Sequence, residues 1–128
     1  MYDRRELKER LEDTLEALER IPRRLESIHT PDDFLADDTG REHLDSVCMI
    51  LLAAGEAFRQ LDAKTKGDWR TRYPQFPWRD TIGLRNVIAH GYFDIDAEQV
   101  FNICKENLPE LIQTVRTMIK DLENGTVS

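Results

Sequence analysis

Apolar residues recur at spacings of three and four along nearly the whole chain, and no segment shows strand-like alternation bounded by turns. Leu7, Leu11, Leu15, Leu18, Ile21, Leu25 and Ile28 open the pattern, and Leu44, Val47, Cys48, Leu51, Ala54, Gly55, Phe58 and Leu61 carry it on. Val100, Phe101, Ile103, Cys104, Leu108, Leu111, Ile112, Val115, Met118, Ile119 and Leu122 complete it. Segments of this kind bury one stripe each only as amphipathic helices. The expected fold class is therefore all-α, a bundle of four to five helices running up and down. With 128 residues, 40% of them hydrophobic, the chain closes one core, so residues 1–128 form a single domain and not a disordered acidic segment.

Punctuation divides the pattern. Pro22 should kink or interrupt the first helix near its end. Thr30-Pro31-Asp32-Asp33 reads as a helix start, with a capping hydroxyl, a proline at the first helical position and acids at the positive end of the dipole. Gly40 is a candidate break. Residues 62–77 lose the period and carry Gly67, Pro74 and Pro77, which reads as a long connection. Trp78 to His90 is helical again and should stop at Gly91 in the left-handed region. Asp96, with Gln99 as capping-box partner, starts the last helix, which Pro109 should bend.

Several function classes are excluded at this level. No run approaches the roughly 18 to 20 apolar residues of a membrane helix, and MYDRRELKERLEDTLEALER has no apolar stretch for a signal peptide, so a soluble, cytoplasmic protein is expected. Cys48 and Cys104 lie within apolar-periodic segments and read as small core residues, not a disulfide or a zinc site. His29 and His43, with Asp32, Asp33, Asp37 and Asp38 between them, have no metal-ligand spacing; no metal and no cofactor are expected. Glu56 and Asp80 read as a helix ion-pair partner and a first-turn acid. Gly55 and Gly83 read as close-packing positions, since no strand precedes either to make a phosphate loop.

Charge is uneven. The formal net charge is −7, yet residues 64–85 hold six cations, Lys64, Lys66, Arg70, Arg72, Arg79 and Arg85, against two acids. Trp69, Tyr73, Phe76 and Trp78 lie among them. Arginines interleaved with aromatics can neutralise phosphates and stack bases, which makes Lys64, Lys66, Arg70, Arg72 and Arg79 candidate RNA contacts. The competing reading is that the rings pin a long loop to the bundle while the cations stay solvated.

Just beyond lies Arg85-Asn86-Val87-Ile88-Ala89-His90-Gly91-Tyr92. At about 100° per residue Asn86 and His90 share a face, while Arg85 lies roughly 140° from His90, so one straight helix does not aim both at one phosphate. A long arginine side chain, the helix end at Gly91, or a second copy across a two-fold axis would have to bring them together. Chemically, histidine can take a proton from a 2′-hydroxyl or give one to a leaving 5′-oxygen. Arginine can bind the phosphate and stabilise the charge that develops on it. Spacing alone leaves open a surface ion pair for Arg85 and a helix-end histidine for His90.

The segment YPQFPWRDTIGLRNVIAHGYFDIDAEQVFNICKENLP, residues 73–109, together with Gly55-Glu56-Ala57, closely resembles the HepT-like branch of the HEPN superfamily, the toxin half of HEPN/MNT toxin-antitoxin pairs. The shared pattern is an aromatic-Pro and Pro-Trp entry, then Arg, a polar residue, three mostly apolar residues, His, any residue and Tyr. Here these are Tyr73-Pro74, Pro77-Trp78, Arg85, Asn86, Val87 to Ala89, His90, Gly91 and Tyr92. The resemblance implies a HEPN-type bundle that forms a homodimer, with Arg85, Asn86 and His90 of both protomers lining a cleft at the two-fold axis. It implies a metal-independent endoribonuclease toxin of a type VII-like system with an RNA substrate. Its partner would be a cognate MNT-type nucleotidyltransferase antitoxin, which transfers AMP from ATP to the motif tyrosine, Tyr92. A function of a different class uses the same cleft: a noncatalytic nucleotide- or RNA-binding partner subunit of a nucleotidyltransferase. A purely structural bundle is the third reading.

Overall fold

The computed structural model describes residues 3–125. Helix α1, Arg4–Glu19, begins where the Asp3 carboxylate accepts the backbone N–H groups of Arg5 and Glu6, and it buries Leu7, Leu11 and Leu18. The kink expected at Pro22 is a full break. The chain leaves α1 at Arg20 and restarts as the single turn α2, Ile21–Arg24, with Pro22 in the first turn, where a missing N–H breaks no helical bond. The start expected at Thr30 is a 3-10 turn, Pro31–Phe34, and not a long helix. The Asp33 carboxylate fastens it by accepting the backbone N–H groups of His29 at 2.7 Å and Thr30 at 3.0 Å, and Phe34 is fully buried behind it.

Helix α3, Asp38–Lys64, is the spine of the fold. Gly40 does not split it. The residue sits in the first turn, where a Cβ would lie 2.2 Å from the Asp33 carbonyl oxygen, so glycine lets the preceding turn lie against the helix start. Residues 62–77 contain more structure than their lost period suggested. Helix α3 runs three residues into them, Lys66 and Gly67 turn the chain at positive φ (53° and 80°), and a short helix α4, Asp68–Arg72, follows.

Helix α5 spans Trp78–Gly91 and buries Trp78, Leu84 and Ile88. Gly91 ends it as expected, with a different backbone: φ is −152°, outside the left-handed region, and the chain continues into a 3-10 turn, Tyr92–Asp94. Asp96 caps α6, Ala97–Asn102, by accepting the N–H groups of Glu98 and Gln99. A π-helical segment, Ile103–Asn107, then leads into α7, Leu108–Glu123, with Pro109 in its first turn. The disturbance expected at Pro109 is thus a widened turn just before it.

Side-chain pairs fix the directions. Glu6 meets Lys64 while Arg24 meets Ser46, so α1 and α3 run antiparallel. Asp45 meets Tyr92 while Glu56 meets Arg85, so α3 and the α5 segment do too. Arg4 reaches the Leu122 carbonyl and Glu19 reaches Arg116, closing α7 against α1. The result is the expected all-α up-and-down bundle, whose core runs from Leu7 and Leu18 through Val47 and Phe58 to Val115 and Met118. No helix among the described residues is long and apolar enough to cross a membrane.

Candidate functional site

The site begins with the absence of a side chain. At Gly55 of α3 a Cβ would lie 2.5 Å from the Cβ of Arg85 and 3.0 Å from the Thr81 carbonyl oxygen, so glycine lets α5 press directly on α3 at this point. The expected packing role of Gly55 is therefore real. Gly83 has no such role within the chain, because a Cβ there would meet nothing within 4 Å.

Pressed into this notch, Arg85 is half-buried, and its Nε lies 2.8 Å from Glu56 Oε2. The Nε–H is not directed along that contact, which makes it a charge pairing and not a directed hydrogen bond. Its Nη1 donates to Asn86 Oδ1 at 2.9 Å. Glu56 is also held by Arg59, whose Nε approaches both carboxylate oxygens at 3.1 and 3.2 Å. The hydrogen bond from Arg59, then the charges of Arg59 and Arg85, hold the Glu56 carboxyl below the usual range. Glu56 is thus an ion-pair partner, as read from the sequence, with the motif arginine as one of its partners.

His90 points the other way. It is exposed, as is Asn86, and among the described residues no hydrogen bond or ion pair joins it to Arg85. By helical phase Arg79, Gly83, Asn86 and His90 fall within a stripe about 60° wide. Two exposed apolar side chains lie nearby in sequence, Val87 on α5 and Phe93, fully exposed just past Tyr92, and Met49 is exposed on α3.

Tyr92 folds back onto α3. Its hydroxyl donates to the Asp45 carboxylate and lies beside the Cys48 thiol. Burial, then the Asp45 hydrogen bond, push the phenol well above the ordinary tyrosine range, and burial pushes the Cys48 thiol up to about 11. Asp45 was not singled out by the sequence. It lies 47 positions from Tyr92, and only the stripe it shares with Met49, Leu52 and Glu56 on α3, at spacings of four, three and four, marks it.

The candidate RNA contacts divide. Lys64 pairs with Glu6, Arg70 with Asp62 and Arg72 with Asp68, so these three cations are met by the chain's own carboxylates. Lys66 is exposed at the positive-φ turn. Arg79 is exposed on α5, on the stripe of Asn86 and His90. The aromatics of the basic island pin the loop. Trp69, Tyr73, Phe76 and Trp78 are all buried, Phe76 packs on Phe58 at 4.4 Å between ring centres, and Tyr73 donates to Asp121 at 2.6 Å. None of the four presents a face to a base.

A cleft of about 890 Å³ opens between α5 and the α6–α7 limb, lined by Phe58, Leu84 and Leu111 with Asp80, Gln99 and Asn102 at its polar side. Arg85, Asn86, His90 and Tyr92 do not line it. Asp80 is a first-turn acid of α5, as expected. Among the described residues no group of three or more His, Cys, Asp or Glu is arranged to hold a metal ion.

Known proteins are similar to this chain in sequence. A protein of Thermococcus cleftensis named "Probable ribonuclease HepT" is 31% identical over 108 residues, which cover 84% of this chain and 91% of that one. A protein of Methanocaldococcus jannaschii named "Putative RNase MJ1380" is 32% identical over 97 residues, covering 71% of this chain and 85% of that one. No solved structure matches. The family model described as "Ribonuclease HepT-like" matches residues 14–118, a span that holds the Gly55 notch, the Glu56–Arg85 pair, His90 and Tyr92, and the chain accordingly belongs to the HepT-like ribonuclease family.

Proposed function

We propose that the protein is a metal-independent endoribonuclease toxin whose active site is the Arg85, Asn86 and His90 edge of α5, assembled from two copies of the chain. The observation that carries this reading is the division of labour on α5. Arg85 is fixed against α3 with its guanidinium oriented by Asn86, while His90 on the same helix is exposed and has no hydrogen-bond or ion-pair partner among the described residues. A guanidinium fixed in advance suits stabilisation of phosphate charge, and an exposed imidazole suits proton transfer. The 2′-hydroxyl attacks the adjacent phosphorus, His90 takes its proton, and a second imidazole protonates the departing 5′-oxygen, leaving a 2′,3′-cyclic phosphate.

Each protomer contributes one such histidine, so a base and an acid together require two copies. The exposed apolar side chains of Met49, Val87 and Phe93 around this edge support burial against a second copy. Arg79, on the same stripe as His90, extends the substrate path along α5; Lys66 is the other candidate cation that meets no carboxylate among the described residues. A cognate MNT-type nucleotidyltransferase switches the enzyme off by placing AMP on Tyr92, which adds bulk and negative charge just past His90 at the end of α5.

The test is cleavage of single-stranded RNA in EDTA. Wild type should cut RNA and spare DNA, and His90→Gln should lose about 10²- to 10⁴-fold in rate with an unchanged denaturation midpoint. RNA binding without cleavage by wild type, merely weakened by His90→Gln, would instead make the chain a binding subunit.

A further inference from the structure

Tyr92 does not stand free at the end of α5. Its hydroxyl is committed to Asp45, a residue of a different helix, in a contact at the protein surface. Tyr73 also donates to a carboxylate, that of Asp121, but Tyr73 is buried, whereas Tyr92 is only half-buried and its partner Asp45 is exposed. A phenol that must attack phosphorus needs a group in contact with its proton. We infer that Asp45 is the proton acceptor for nucleotide transfer to Tyr92. The inference rests on the reading of Tyr92 as the AMP acceptor and names the residue of this chain that takes part in that reaction.

The chemistry balances with ATP as the only co-reactant. The phenolic oxygen forms a bond to the α-phosphorus of ATP, the bond from that phosphorus to the bridging α,β-oxygen breaks, and pyrophosphate leaves. The phenolic proton passes to Asp45 and from there to water. An aspartate that accepts the proton of an attacking hydroxyl is an established arrangement in phosphoryl transfer, where the proton moves late, once the oxygen has gained acidity by bonding to phosphorus.

The neighbours leave this role to Asp45. Cys48 also touches the Tyr92 oxygen, but burial pushes its thiol up to about 11, so at neutral pH it is protonated and has no capacity to accept. Asp45 is exposed and can return its proton to solvent after each transfer. Tyr92 is only half-buried, and its contact with Asp45 lies at the protein surface.

The experiment follows AMP addition by intact mass spectrometry with the full chain, the cognate nucleotidyltransferase and ATP. Wild type, Asp45→Asn, Asp45→Glu and Tyr92→Phe are compared. Asparagine keeps an oxygen for the hydroxyl and removes the capacity to take a proton. Asp45→Asn should therefore lower kcat of transfer by about 10²-fold or more. The KM for ATP should stay within about twofold. Asp45→Glu should recover part of the rate, and a denaturation midpoint equal to wild type shows that the fold is kept. Wild type modified at Tyr92 with Asp45→Asn modified at the same rate overturns this inference alone. Wild type that gains no AMP, or gains it equally in Tyr92→Phe, overturns the reading of Tyr92 and the inference with it.

Discussion

Two regions of this molecule mix cations with aromatic rings, and they use them in opposite ways. Between residues 64 and 78, Trp69, Tyr73, Phe76 and Trp78 turn inward, and Lys64, Arg70 and Arg72 are met by carboxylates of the same chain. Between residues 85 and 93, Phe93 is fully exposed and His90 and Asn86 face solvent. Similar compositions therefore serve the core in one place and leave side chains exposed in the other. What separates them is the rings: those of the first region are buried in the core, whereas Phe93 lies wholly outside it.

The largest effect expected from this contrast is on the fold. Trp69→Ala should cost about 3–5 kcal/mol in urea denaturation, the usual range for emptying a buried aromatic site. Phe93→Ala should stay within about 0.5 kcal/mol of wild type. A Trp69→Ala loss below about 1 kcal/mol would break the comparison, because the loop would then not depend on its rings.

A smaller pair of effects tests the two glycines. Gly55→Ala should destabilise by about 1–3 kcal/mol, since its Cβ collides with Arg85 and the Thr81 carbonyl, and it should also displace the guanidinium and slow RNA cleavage. Gly83→Ala should stabilise the folded protomer by about 0.5–1 kcal/mol, the helix-propensity difference, because nothing within the chain opposes the added methyl. Thermal melts of both variants decide the matter, and destabilisation by Gly83→Ala would show that α5 is constrained there from outside the protomer.

The smallest effect is one of pH. Backbone N–H donation from His29, then from Thr30, holds the Asp33 carboxyl below its ordinary value of 3.8. A group whose folded-state pKa is depressed contributes stability above the unfolded pKa and loses it as pH falls through the folded one. The stability gap between wild type and Asp33→Ala should therefore be full near neutrality and narrow as pH drops below about 4. A gap independent of pH would assign the turn's stability to Phe34 and Pro31 instead.

Much of the bundle was legible in the sequence because one buried stripe per helix leaves a periodic trace. The stripes of α1, α3 and α7 lie where the period placed them, and the Asp96 cap and the end of α5 at Gly91 were readable from residue type alone. Helix α4 was not legible, because its buried residue, Trp69, is alone in five and a single ring sets no period. The conformation of Gly91 was missed because glycine marks an end without fixing which backbone makes it. At the site the local motif was readable, and its supports were not. The partners of Arg85 and Tyr92 come from α3, 29 and 47 positions away, where no short spacing connects them.

On the proposed reading of Arg85 as the phosphate-binding group, the Gly55 notch has a thermodynamic meaning for RNA binding. A free arginine side chain carries about 2 kcal/mol of rotamer entropy, much of which a phosphate would have to remove on arrival. Here the stem lies against α3 and the guanidinium is already shared between Glu56 and Asn86, so part of that ordering is completed during folding. The incoming phosphate then exchanges one anion for another at the same cation. The net gain is the difference between two ion pairs, smaller than either, which favours fast turnover over tight retention of the cleaved strand.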